Sequence, residues 1–183
     1  FLLQARAHVG SVSAATGDAG RAAIEASESP FVNPASLGFI SGYYFSAGYG
    51  LTRQQSPLVS IEPVQDLSLS VTDNMRETVV PTSFAYLQET QDQAMRRQFK
   101  VSLGNFMTQK TAFGLAVLHQ NDRLPETSYA QTNMETGFIW APNSSLGFAT
   151  VFNNMIPPSS TVPEAYRLKQ SGSLAATMNY KRF

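Results

Sequence analysis

From residue 37 onward apolar and polar positions alternate with a period of two, the pattern of a strand with two unlike faces. Eight segments carry it: 37–52, 58–72, 78–88, 97–107, 111–120, 129–141, 145–153 and 166–181. In the first, Phe39, Tyr43, Phe45, Ala47, Tyr49 and Leu51 take one parity, and Gly42, Ser46, Gly48, Gly50 and Thr52 the other. In the fifth, Phe113, Leu115 and Val117 alternate with Ala112, Gly114 and Ala116. The segments reach or exceed the ~9–11 residues with which a tilted strand crosses a bilayer. An even number of them suits a closed bacterial barrel. The pattern predicts an all-β fold: an antiparallel transmembrane β-barrel of about eight strands. Pro63, inside the second segment, predicts a bend there.

The connections add to this picture. Thr108-Gln109-Lys110 and Pro142-Asn143-Ser144 are tight turns, whereas 89–96, 121–128 and 154–165 are long and polar or proline-rich. Outer-membrane barrels have short periplasmic turns and longer outer loops. On that reading both chain ends are periplasmic. The loop Met155–Pro163 is then the most exposed connection, stiffened by its prolines.

Before residue 37 the character changes. Residues 8–30 are rich in Ala, Gly and Ser, and 18–26 can form a short helix with Asp18 as N-cap. Ile24 is its one large apolar side chain, too little to bury a core helix. Residues 1–7 fit the end of a secretory signal with Ala5-x-Ala7 as cleavage site, and equally a mature N-terminus. Asn33-Pro34-Ala35 is a turn signal, because proline fixes its own φ and drives the preceding residue into an extended conformation. The chain therefore divides into an N-terminal segment, 1–36, and a barrel, 37–183.

Composition narrows the class. Charged residues make up 14 % of the 183, against roughly 25 % in soluble domains. Basic and acidic side chains balance at 13 each, which argues against a nucleic-acid partner. No stretch approaches the ~18 apolar residues of a transmembrane helix. Cysteine is absent, so disulfides and thiolate metal sites are excluded.

The polar parity lines the lumen of such a barrel. Gly42, Gly48, Gly104 and Gly114 fall on it, with Lys100, Glu135 and Lys169, and Arg96 stands near the rim. An eight-stranded barrel is just wide enough for side chains to fill. A lining of glycine and alanine leaves room for the N-terminal segment, water or an apolar ligand, and equally lets the strands bend. The lumen charges read as ion pairs that hold the lumen closed, or as a solute path. Tyr43, Tyr49, Trp140 and Tyr180 are candidate interface aromatics. His8 and His119 lack a second ligand at metal spacing, and no serine stands in a nucleophile elbow. These residues predict a protein that is not an enzyme and uses no cofactor or metal.

Gly20-Arg21-Ala22, then Glu28-Ser29-Pro30-Phe31 and Asn33-Pro34-Ala35-Ser36-Leu37 ahead of a Gly- and Tyr-rich strand, resembles the entry region of the long-chain fatty acid transporter family of outer-membrane β-barrels. The likeness covers roughly residues 17–50, with Ser36 where that family usually has Gly, in a much shorter chain. It implies integral residence in the bacterial outer membrane, an N-terminal segment that plugs the lumen, and passage of hydrophobic molecules. The expected partners are membrane lipid or detergent and a hydrophobic ligand. The second reading is a non-enzymatic structural barrel that binds a homo-oligomeric or envelope protein partner. A third is a soluble lipocalin-like carrier.

Overall fold

The computed structural model describes residues 26–52, 63–75 and 78–178. The short helix α1 (Ser29–Val32) and a 3-10 helix (Pro34–Gly38) precede eight strands. These are β1 (Gly42–Thr52), β2 (Val64–Asn74), β3 (Thr82–Gln91), β4 (Ala94–Thr108), β5 (Thr111–Arg123), β6 (Ser128–Asn143), β7 (Leu146–Asn153) and β8 (Ser171–Met178). They form one sheet in sequence order, each antiparallel to the next.

Local chemistry makes these hairpins. Asp92 opens the β3–β4 turn with φ 53°, a left-handed conformation that two-residue hairpin turns require and that Asp tolerates. At the β6–β7 turn the Asn143 side-chain oxygen accepts from the backbone N–H of Ser145 and of Leu146, each at 2.9 Å. Thr108 and Thr111 join their hydroxyls at 2.7 Å across the β4–β5 turn, next to a bulge at Phe106–Thr108.

The faces sort as the alternation predicts, the polar parity buried and the apolar parity exposed. Ser70, Thr72, Ser83, Lys100, Ser102, Gln120, Asp122, Asn133 and Glu135 are buried. Phe45, Phe84, Val101, Val117, Phe138 and Trp140 are exposed on the opposite face. Cross-strand register joins the exposed residues into rows such as Phe45–Val71–Phe84–Val101–Val117–Met134.

Several expectations need correction. Among the described residues β1 pairs only with β2 and β8 only with β7, so the sheet is not closed into a barrel. Strand length falls from 16 residues in β6 to eight in β7 and β8, and β7 ladders only with the Thr136–Asn143 part of β6. The first strand starts at Gly42 rather than 37, because Pro34–Gly38 coils into the 3-10 helix. That helix also crosses the expected domain boundary at 36. Pro63 lies just ahead of β2 instead of inside it. The link 89–96, expected to be long, is a tight turn at 92–93, since β3 and β4 stay paired out to Gln91 and Ala94. Among the described residues the eighth strand is Ser171–Met178, so the expected stretch 166–170 precedes it. The signal-like start 1–7 and all of the 18–26 helix except Ala26 lie outside the described residues.

Candidate functional site

The inner face is organised by three glycines. Gly104, Gly114 and Gly137 are direct cross-strand neighbours on β4, β5 and β6. A Cβ at Gly104 would strike the Pro34 carbonyl oxygen, one at Gly114 the Pro34 carbonyl carbon and the Ala35 nitrogen, and one at Gly137 the Asn33 side-chain oxygen. The backbone of Asn33-Pro34-Ala35 therefore occupies the space where three side chains would stand.

The turn is built to lie flat on this floor. Asn33 is extended, with φ −155° and ψ 111°, as a residue before proline prefers. Its side-chain oxygen accepts from the Ala35 N–H at 3.0 Å and caps the 3-10 helix. The Ser36 hydroxyl donates to the Asn33 carbonyl at 2.6 Å. Leu37 and Ala35 are fully buried. Ala35 packs with Ala112, Ile139 and Ala149, flanked by Phe39, whose ring meets Phe106 edge-on at 4.7 Å. Asn74, at the end of β2, donates to the carbonyls of Leu37 and Ile40.

The charges on this face divide into two clusters. Lys100 and Glu135 form an ion pair, and the Lys100 ammonium also donates to the Phe31 carbonyl at 3.0 Å. The pair thus ties β4 and β6 to the backbone of α1. Nearer the other end of the strands, Arg96 contacts Asp122 at 2.7 Å and Glu89 at 3.6 Å. Gln120 donates to Asp122 and Gln98 to Gln120, each at 2.7 Å. Between these clusters and the turn, Thr72, Ser83 and Ser102 line up in one cross-strand row. They are buried, and their hydroxyls have no partner among the described residues.

Asn33, Pro34, Ala35 and Leu37 are thus brought together with Gly104, Gly114, Lys100 and Glu135. Three other expected lumen residues stand apart. Gly42 starts β1 with φ +116°, and Gly48 is exposed beside the Ser68 hydroxyl, neither beneath the turn. Lys169 is corrected: it is exposed in the loop before β8, where its carbonyl accepts from Asn154 at 2.9 Å. The eighth strand starts two residues too late to carry it inward. Tyr43 and Trp140 are exposed towards one end of the sheet and Tyr49 towards the other, with Trp140 stacked on Phe148 at 5.4 Å. Tyr180 and His8 lie outside the described residues.

Sequence reasoning missed Glu89 and Asp122 as partners of Arg96, and Gln120 as a donor to Asp122. The signal was there: Glu89 and Asp122 continue the inward parity of strands three and five just past their expected ends at 88 and 120.

The long connection 154–170 is also anchored. Asn133 donates to the Ile156 carbonyl and accepts from the Ile156 N–H, both at 2.9 Å. Gln131 donates to the Tyr166 carbonyl at 2.8 Å and accepts from the Leu168 N–H at 3.1 Å. Val162 and Leu168 are buried, while most of 155–163 stays exposed, as expected of this loop. The loop occupies the stretch of β6 that β7 leaves unpaired. Asn133→Ala removes both bonds to Ile156 and leaves those part-buried backbone groups unpaired, at about 1–2 kcal/mol together. Limited proteolysis should then cut within 154–170 about tenfold faster, with the rest of the chain protected.

Among the described residues no group of three or more His, Cys, Asp or Glu can hold a metal ion. His119 is exposed and its Nδ1 pairs with the Thr132 hydroxyl at 2.9 Å. No protein-family model, no curated protein and no solved structure matches the chain.

Proposed function

We propose that this chain forms the wall of a bacterial outer-membrane β-barrel that binds or passes hydrophobic molecules, without enzymatic activity. The observation that carries the reading is the inversion of the sheet: ion pairs and amides are buried on one face, and rows of Phe, Val, Leu and Trp are exposed on the other. A soluble carrier would expose the polar face and hide the apolar one, since large contiguous apolar surfaces otherwise drive association. On β4 the exposed apolar positions run from Phe99 to Met107. At ~3.3 Å per residue that stretch is about 26 Å along the strand, which at the ~35–45° tilt of outer-membrane barrels covers about 20 Å of their ~25 Å apolar band. The aromatics Tyr43, Tyr49 and Trp140 belong, on this reading, to the interfaces.

The likeness of the entry motif to the fatty acid transporter family gains support from its place on the inner face, where an N-terminal plug would sit. Passage along that face requires the turn to move. The turn rests on glycine and is held by Asn74 at Leu37 and Ile40, with Lys100 holding α1 just ahead of it, so these are the contacts that its release would break.

The second reading, a structural or partner-binding barrel, is favoured by the edge of β1 away from β2, which ladders with no strand among the described residues. Such an edge offers free backbone groups to a second copy or an envelope partner.

The test is refolding of the full chain with and without lipid vesicles, followed by mass spectrometry of extracted lipids. The expected outcome is strand formation and protease protection only with vesicles, and retention of an apolar ligand through washing. A chain that folds as a monomer without detergent overturns the membrane reading. A vesicle-inserted chain that retains no ligand but co-purifies as a stable oligomer favours the second.

A further inference from the structure

The outer face carries a groove of about 1060 Å³ that crosses β1 to β5 and ends beneath the β5–β6 turn. Its two ends differ in chemistry. The floor is apolar: Phe45, Val71, Phe84 and Phe99, with the Tyr86 ring 4.9 Å from that of Phe99. The end nearest the β3–β4 and β5–β6 turns holds Arg97, Arg123 and His119.

These cations lack compensation. Arg97 pairs in register with Asn121, and Arg123 with Met95, so the two guanidinium side chains leave the same face from diagonal positions on adjacent strands. Such positions are ~7–8 Å apart. Both are exposed, and among the described residues neither has an ion-pair or hydrogen-bond partner. Asp122, the acidic neighbour of Arg123, turns inward to Arg96. His119 engages Thr132 through Nδ1, and its Nε2 has no partner among the described residues.

We propose that this groove binds an anionic phospholipid, one whose headgroup phosphate keeps a net negative charge. The phosphate lies between Arg97 and Arg123, with His119 as a further donor, and an acyl chain follows the floor towards Phe84 and Phe45. The geometry fits such an occupant. From the Arg97 row to the row of Phe84 and Phe45 is four residues along β4, about 13 Å, enough for a headgroup and the first half of an acyl chain. Arginine matches phosphate because its planar fork donates in pairs. An uncharged amphiphile would fill the floor and leave the cations unmatched, and a zwitterionic phospholipid brings a phosphate whose charge its own ammonium already offsets.

The inference rests on the proposal that the outward face meets lipid, and the experiment separates the two. The full chain is refolded in detergent and offered phosphatidylglycerol or phosphatidylcholine with the same acyl chains, and native mass spectrometry counts the bound lipid. Wild type is expected to retain phosphatidylglycerol about fivefold or more over phosphatidylcholine. Arg97→Gln with Arg123→Gln should bring the ratio to about one, and Arg97→Lys with Arg123→Lys should keep most of it. Millimolar inorganic phosphate should not displace the lipid. Equal retention of both lipids by wild type, or a preference that survives the glutamine pair, overturns the site. Displacement by free phosphate overturns it in favour of a simple anion site. If the glutamine pair does not fold, the wild-type ratio and the lysine pair decide. A chain that inserts into vesicles yet shows no preference sinks this inference alone. One that folds in water and retains no lipid sinks both.

Discussion

Gly114→Val is expected to destabilise the fold by about 3 kcal/mol, at the upper end of what overpacking a filled interior costs. The reason is the nature of the obstacle. Its new side chain meets Pro34 and Ala35 backbone, not a flexible tip, so neither side can step aside without lifting the turn off the sheet. Lifting it also exposes Ala35 and Leu37 and parts Phe39 from Phe106. Gly114→Ala should show a smaller loss of the same sign. Gly48→Val is the control: it shares the inward parity, but its Cβ meets only the Ser68 hydroxyl, and a β-branched residue suits a strand. Its expected effect is within about 0.5 kcal/mol. Urea unfolding in detergent, followed by the fluorescence of the single tryptophan on β6, measures all three. If Gly114→Val matches Gly48→Val, the turn does not depend on the glycine row. On the transport reading, the Gly114 variant should also admit apolar dyes faster into vesicles than wild type does.

The other large effect belongs to Lys100→Met. Lys100 and Glu135 are both buried, with 5 % and 7 % of their surface exposed. Removing the lysine leaves an uncompensated buried carboxylate and takes the donor from the Phe31 carbonyl. Breaking one partner of a buried pair costs about 3–5 kcal/mol. Replacing both, as Lys100→Met with Glu135→Leu, should recover most of that loss, because apolar pairs of similar volume often substitute for buried ions without penalty. What the double variant does not recover is the bond to Phe31, about 1 kcal/mol. A double-mutant cycle from the same urea curves reads this directly. A single substitution costing under about 1 kcal/mol would mean that the pair is solvated and does not hold α1.

Both predictions concern contacts between the N-terminal turn and the sheet, and these divide what could be read in advance from what could not. The alternation of Phe113, Leu115 and Val117 with Ala112, Gly114 and Ala116 marks β5 and its two faces unaided, since side-chain direction in a strand depends only on parity. The turn at Asn33-Pro34 is equally legible, because proline restricts two residues locally. The inward places of Lys100 and Glu135 follow from parity too. Their pairing does not: it depends on the offset between β4 and β6 across β5, which is set by two hairpin registers. Lys169 went astray for the opposite reason. Its parity was sound for a strand that reached it, but β8 starts at Ser171, and Asn133 and Gln131 hold the preceding loop in place of further ladder. The β3–β4 link misled because polar Thr90 and Gln91 read as loop while pairing with Met95 and Ala94 as strand.

The sequence by itself determined the strand class, the order of the strands and, within the strands it located, the face that each side chain takes, because all of these follow from a period of two and from local turn chemistry. Tertiary structure alone decided that three glycines from β4, β5 and β6 meet in one row, that the Asn33-Pro34-Ala35 backbone fills it, and that Arg96 finds Asp122 and Glu89. It also decided that, among the described residues, β1 and β8 do not pair with each other. These outcomes depend on register and strand length summed over several hairpins, and a one-residue change in any of them would move every partner to another row.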